Sequence, residues 1–189
     1  MSLDYRKLQN GSDIRGVALE GIEGEPKNLG KEETFRLTRA FIMWLSDKTR
    51  KEPEELTISV GTDSRITANS LKEAVVDTLV HIGVKVFDAG MASTPAMFMS
   101  TLFEEYMCDG AIMITASHNP SNHNGFKISF NKNNTDAGST DIAPAEVYVE
   151  KGVGIYTTVD CTTAWSGPIT KPTRRIRGTH QQRRARIYF

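Results

Sequence analysis

Cysteine is scarce in this chain: 2 among 189 residues, Cys108 and Cys161. Their spacing fits neither a metal knuckle nor a disulfide framework, so they read as reduced thiols of an intracellular protein. No apolar run approaches the ~20 residues that a membrane-spanning helix needs. The opening "MSLDYRKLQNG" has no apolar core of the signal-peptide kind. Cytoplasmic residence, away from membranes, is the expectation. With 15 glycines and 7 prolines, and 39% hydrophobic and 24% charged residues, fibrous and disordered classes are excluded. The length suits one buried α/β domain, alone or with an appendage.

Acidic residues are missing from one region. Between Cys161 and Phe189 there are seven Lys/Arg and no Asp/Glu, although the whole chain is balanced at 23 of each sign. The remainder therefore carries 16 basic against 23 acidic residues. Such a split marks a tail with physics of its own. It is rich in polar breakers and poor in apolar periodicity, so residues 146–189 are expected to be a divergent, basic, poorly ordered tail.

The rest alternates between two periodicities. "KEETFRLTRAFIMWLSDK" (31–48) repeats Phe35, Leu37, Phe41, Ile42 and Leu45 at helical spacing. "LTISVG" reads as a buried strand. "TANSLKEAVVDTLVHIG" reads as a helix capped by Asn69 or Thr67 and ended by Gly83. "VKVFDAG" is a second strand, and "STPAMFMSTLFEEYM" (93–107) a third helix with Pro95 in its first turn. "DGAIMIT" and "NGFKISF" complete four strands. The β-α-β-α-β order predicts a layered α/β domain with a mostly parallel mixed sheet and helices on both faces. Beyond about residue 142 the periodicity fades, and "VYVEKGVGIYTTVD" (147–160) leaves a strand pair, a helix remnant and irregular chain all open.

In such sheets ligands sit outside the carboxyl ends of the strands. Two polar loops leave there: "GTDSR" (61–65) and "TASHNPSNHNG" (115–125). Ser117 lacks the G-x-S-x-G elbow of a hydrolytic serine. His118 and His123, with neither cysteine beside them, do not make a tetrahedral zinc site. Phosphate chemistry fits better: the loops offer Asp63, Arg65, Ser117, His118, Asn119 and Lys127. "NGSDIRG" (10–16) adds Asp13 and Arg15. Arginine supplies a planar fork for phosphate oxygens and lysine a mobile point charge. Residue types alone leave a phosphate site and an ordinary solvated rim both open.

"DIRG", "GTDSR", "TASHNP" and "NGFK", in this order with the right elements between them, resemble the first domain of the α-D-phosphohexomutases, the phosphoglucomutases and phosphomannomutases. "LQNGSDIRG" and "ASTPAMFMSTL" are most similar to a phosphoglucomutase-type branch. The resemblance runs from about Leu8 to about Ile142 and implies domain I over residues 1–145. It implies that Ser117 carries a phosphoryl group, exchanged with a hexose phosphate through a bisphosphate intermediate. The net reaction would interconvert hexose 1-phosphate and 6-phosphate. Arg15, His118 and Lys127 become catalytic candidates with Ser117, and Arg15, Ser117 and Lys127 would contact substrate. Asp13, Asp63, Arg65 and Asn119 would stand behind them. For Asp63 and Arg65 a purely structural ion pair remains open. Implied too are Mg²⁺, bound in part through the phosphate on Ser117, and glucose 1,6-bisphosphate as activator.

The departures are as specific. The family's D-G-D-x-D metal loop is absent, Asp109-Gly110 being followed by alanine, as are its sugar-reading G-E-x-S-G-H loop and its distal phosphate loop. Ser12 replaces an aromatic residue common before D-I-R-G, and Thr62 a common Arg or His. The expectation is a fragment inactive by itself; a non-enzymatic domain that binds a phosphosugar or a partner is the alternative. The basic tail is expected to be a frameshift or mis-splice product rather than a nucleic-acid-binding arm, since its aromatic interleaving is sparse. A domain built to dock on others should expose apolar surface and self-associate.

Overall fold

In the computed structural model, residues 4–131 and the strand Tyr156–Thr158 are described. Helix α1 spans Lys31–Thr49. At its start the Glu33 carboxylate turns back to accept the Gly30 N–H at 2.8 Å. Glu32 and Glu33 also lie against the positive end of the helix dipole. Arg50, at φ +54, closes the helix in the left-handed conformation. Helix α2 spans Ala68–His81. Thr67 stands at its N-cap, but its hydroxyl caps nothing there. It instead accepts a hydrogen bond from the buried Asn124 side chain at 3.0 Å. Asn69 lies inside the helix, so of the two expected caps only Thr67 holds the position.

Helix α3 is shorter than its sequence predicts, Thr94–Met99 instead of 93–107. The start behaves as expected: Ser93 Oγ accepts the Ala96 N–H at 3.3 Å, and Pro95 lies in the first turn. The end does not. Ser100 and Thr101 each turn a hydroxyl back to a carbonyl three residues earlier, Met97 and Phe98. The backbone then tightens into turns such as Leu102 N–H to Met99 O. Hydroxyls that bond the preceding turn compete with helix continuation.

Among the described residues seven strands form one sheet: β1 Gln9–Asn10, β2 Asp13–Val17, β3 Thr57–Thr62, β4 Lys85–Met91, β5 Gly110–Ile114, β6 His123–Phe130 and β7 Tyr156–Thr158. Their spatial order is β1-β2-β6-β5-β3-β4-β7. The β5-β3-β4-β7 half is parallel, while β6 returns antiparallel to β5 and β2 antiparallel to β6. The sheet is thus mixed, with the parallel strands β5 and β3 buried near its centre.

Alternation along the strands assigns the two faces. Ile58, Val60, Ile112 and Ile114 join Leu37, Phe41 and Leu45 of α1 and Leu71, Val75 and Leu79 of α2 in the main core. On the opposite face Ala89, Ala111 and Met113 pack with Met97 of α3. Two glycines let helix and sheet approach: a Cβ at Gly110 would lie 2.8 Å from Phe41, and one at Gly61 2.6 Å from Met97 Sδ.

Strand β2 is not legible as a strand from its sequence. Asp13 and Arg15 alternate with buried Ile14 and Gly16, and their charges disguise the period of two. A two-residue turn at Gly11-Ser12, with Gly11 at φ +61, joins it to β1. Strand β7 adds to the far edge beside β4, pairing Val86 with Tyr156. The rest of the basic tail lies outside the described residues.

Candidate functional site

The carboxyl ends of β3 and β5 are neighbours, since Thr62 pairs with Ile114. The chain therefore releases residues 63–67 and 115–122 side by side. Asp63 N–H still bonds Ile114 O at 3.1 Å, which ties the two loops at their root.

Asp63 organises both loops. Its Oδ2 accepts the Thr115 hydroxyl at 2.6 Å, and Thr115 Oγ1 in turn accepts the Ser117 N–H at 2.9 Å. Its Oδ1 accepts the Arg65 N–H at 3.1 Å, and the Arg65 Nε lies 3.4 Å from Oδ2. The Arg65 guanidinium then spreads beneath the second loop. One terminal nitrogen donates to Pro120 O at 2.7 Å and His123 O at 2.9 Å. The other donates to Ser117 O at 2.8 Å and Asn119 O at 2.7 Å. Four carbonyls on one fork make a clamp that only arginine's planar donor set can supply.

Held in this way, Ser117 has φ +55. A residue with a Cβ rarely adopts that conformation, at a cost of about 1–2 kcal/mol. The turn presents Ser117 and His118 to solvent. His118 Nδ1 lies 3.4 Å from Ser117 Oγ.

Beside this turn stand the charges of β2 and β6. Because Ile14 pairs with Phe126 and Arg15 with Gly125, Asp13 and Lys127 fall on the same sheet face as Arg15. Asp13 Oδ2 accepts from an Arg15 terminal nitrogen at 2.8 Å and from Lys127 Nζ. The other Arg15 terminal nitrogen donates to Ala116 O, the carbonyl immediately before Ser117. Two cations and one carboxylate leave a net positive charge next to the serine. Burial by itself would raise the Asp13 pKa; the Arg15 and Lys127 hydrogen bonds outweigh it and hold the carboxyl below its ordinary value.

Of the residues singled out by sequence, Arg15, Asp13 and Lys127 form one cluster, and Asp63, Arg65 and Ser117 form another. Ala116 O links the two. Asn119 takes part through its backbone: its carbonyl meets Arg65 and its N–H donates to Ala116 O at 3.1 Å. Asp63 and Arg65 do form an ion pair, and the same pair braces the serine turn. Sequence reasoning misses Thr115, whose signal is a Thr two residues before the Ser, the spacing of a side-chain turn. It also misses the buried Asn122 and Asn124. Asn122 Nδ2 donates to Glu25 at 2.7 Å, and Asn124 Oδ1 accepts the Gly125 N–H at 2.9 Å.

Among the described residues no three His, Cys, Asp or Glu side chains converge to hold a metal ion. Asp63 and Asp13 are already committed to Thr115 and Arg65, and to Arg15 and Lys127. These residues therefore do not by themselves fit Mg²⁺, which favours several oxygen ligands. None of the helices among the described residues is long and apolar enough to cross a membrane.

Fold and site together define an α/β/α domain with an exposed serine on a braced turn beside two cations. The family model for phosphoglucomutase/phosphomannomutase, alpha/beta/alpha domain I, matches residues 6–151. The chain is 32% identical over 139 residues to a phosphomannomutase of Vibrio cholerae, covering 74% of this chain and 27% of that one. It is 34% identical over 122 residues to a phosphoglucomutase/phosphomannomutase of Thermococcus kodakarensis, covering 65% and 24%. A solved phosphoglucomutase/phosphomannomutase family protein from Burkholderia thailandensis superposes with a TM-score of 0.56 at 25% identity, over 79% of this chain and 32% of that one. The chain belongs to the phosphoglucomutase/phosphomannomutase family and contains its domain I. It spans about a quarter of the length of the curated relatives it matches. The family generally uses Mg²⁺.

Proposed function

We propose that this domain carries the phosphoryl-bearing serine of a phosphohexomutase. Ser117 Oγ would take a phosphoryl group from a hexose bisphosphate, forming its own P–O bond as the sugar P–O bond breaks. It would return the group to a hydroxyl of a hexose monophosphate. Re-phosphorylation from the other end of that bisphosphate interconverts 1-phosphate and 6-phosphate sugars. Transfer of this kind depends mainly on position and charge stabilisation. Arg15 and Lys127 supply the charge, and His118 is the nearby group for the hydroxyl proton. Glucose 1,6-bisphosphate is the proposed activator, because it would load the serine.

The observation that carries this reading is the Ser117 turn itself. A left-handed serine is held by the Arg65 clamp and presented to solvent beside the Arg15–Lys127 cluster. Strained backbone that its surroundings over-determine is characteristic of functional sites. Mg²⁺, if used, needs carboxylates beyond Asp13 and Asp63. The 189-residue chain alone is therefore expected to bind and accept phosphate but to show little turnover.

The test is to incubate the purified chain with glucose 1,6-bisphosphate and map phosphate by mass spectrometry. Label on Ser117, absent in Ser117→Ala, supports the acceptor role. Label elsewhere or nowhere removes it. A coupled mutase assay on the same sample separates acceptor chemistry from catalysis.

A further inference from the structure

Phosphate holding alone does not explain the wiring of the charged cluster. The two cations of the cluster, Arg15 and Lys127, meet on a single oxygen, Asp13 Oδ2. Arg15 has little freedom to move: one terminal nitrogen is anchored on Ala116 O, and its buried Nε has no partner. Arg15 and Lys127 each already spend one donor on Asp13, so an incoming phosphoryl oxygen would share both cations with that carboxylate. The side chains of Arg15 and Asp13 are only 11% and 16% exposed, so solvent screens their interaction weakly.

We propose that Asp13 is a built-in competitor of the phosphoryl group, a positioning residue whose carboxylate oxygen stands in for a phosphate oxygen between Arg15 and Lys127. This rests on the phosphate reading of the site. With phosphate absent, Asp13 keeps two like charges together that would otherwise repel. With phosphate present, it must surrender at least part of each cation, so the group is held less tightly than two free cations would hold it. A site that exchanges a phosphoryl group gains nothing from trapping it, since binding the ground state more tightly does not speed transfer.

The competitor role and a propping role predict opposite signs. If Asp13 only props the cations, Asp13→Asn lets them splay and weakens phosphate binding. If it competes, Asp13→Asn removes the rival charge and tightens binding. The experiment is calorimetric titration of the 189-residue chain and its Asp13→Asn variant with inorganic phosphate at pH 7 and low salt. The expected result is roughly five- to tenfold tighter binding by the variant, the gain shrinking as salt rises. Equal or weaker binding overturns the proposal. Binding by the parent without a gain removes the role of Asp13 alone, whereas no binding by either chain removes the phosphate reading with it.

Should Asp13→Asn fail to fold, the parent chain decides. The Asp13 carboxyl ¹³C resonance, followed at fixed pH, is expected to move with the same midpoint as phosphate binding. Binding that leaves this resonance in place overturns the proposal.

Discussion

Replacing Arg65 with alanine removes the centre of the serine turn, and the cost can be worked from its partners. Four carbonyls lose their donor: Ser117, Asn119, Pro120 and His123. Ser117 and Pro120 are exposed residues, so water replaces much of what is lost there. Asn119 and His123 are half-buried. For these two the full value of a charge-assisted bond, about 1.5 kcal/mol or more each, disappears. The Asp63 carboxylate also loses its counter-charge, while the freed turn relieves Ser117 of about 1 kcal/mol of left-handed strain. These last two contributions oppose one another, leaving a net destabilisation of roughly 3 kcal/mol. Arg65→Lys restores one charge but not the fork, and should remain within about 1 kcal/mol of the alanine variant. Urea unfolding of the 189-residue chain measures both, and amide exchange should show protection lost in residues 116–123. A loss below about 1 kcal/mol with unchanged exchange would refute the clamp.

Ser117→Gly should stabilise the chain by up to about 1 kcal/mol, because glycine accepts φ +55 without a Cβ penalty. It should also abolish labelling by glucose 1,6-bisphosphate; a destabilised variant would contradict the strain argument. Gly125→Ala should prevent folding or cost at least about 3 kcal/mol, since its Cβ would fall 2.0 Å from the Ile14 carbonyl oxygen on β2; thermal melts decide. For Asp13 the folded pKa lies below the unfolded value, so its stabilisation is fully present above about pH 4. It is lost as pH falls through the folded pKa. The stability difference between the parent and Asp13→Asn should therefore be flat near neutrality and collapse in acid, and a difference that grows in acid would contradict it. Phe98, Leu102 and Met107, 47%, 43% and 49% exposed, predict concentration-dependent self-association of the isolated chain in sedimentation. A monomer at all concentrations would rule it out.

Helices α1 and α2 and the parallel strands β3, β4 and β5 are legible because their apolar periods are unbroken. Leu37, Phe41 and Leu45 mark one face of α1, and the all-buried "GAIMI" marks β5. The features that do not show locally depend on distant partners or on side-chain competition. Helix α3 stops early because Ser100 and Thr101 turn back on it, a competition its composition does not announce. Strand β2 looks like a polar loop because the partners of its charged residues, Lys127 and Ala116, lie more than a hundred residues away.

The chain order of the motifs determined by itself which family this is and singled out Ser117 as the candidate serine, because those residue types recur at fixed places between fixed elements. Only the tertiary structure decided how they are arranged. It put one arginine under four carbonyls and one carboxylate between two cations. Those arrangements depend on which strands lie side by side, and the pairing of strands is settled by packing across the whole sheet rather than within any one segment.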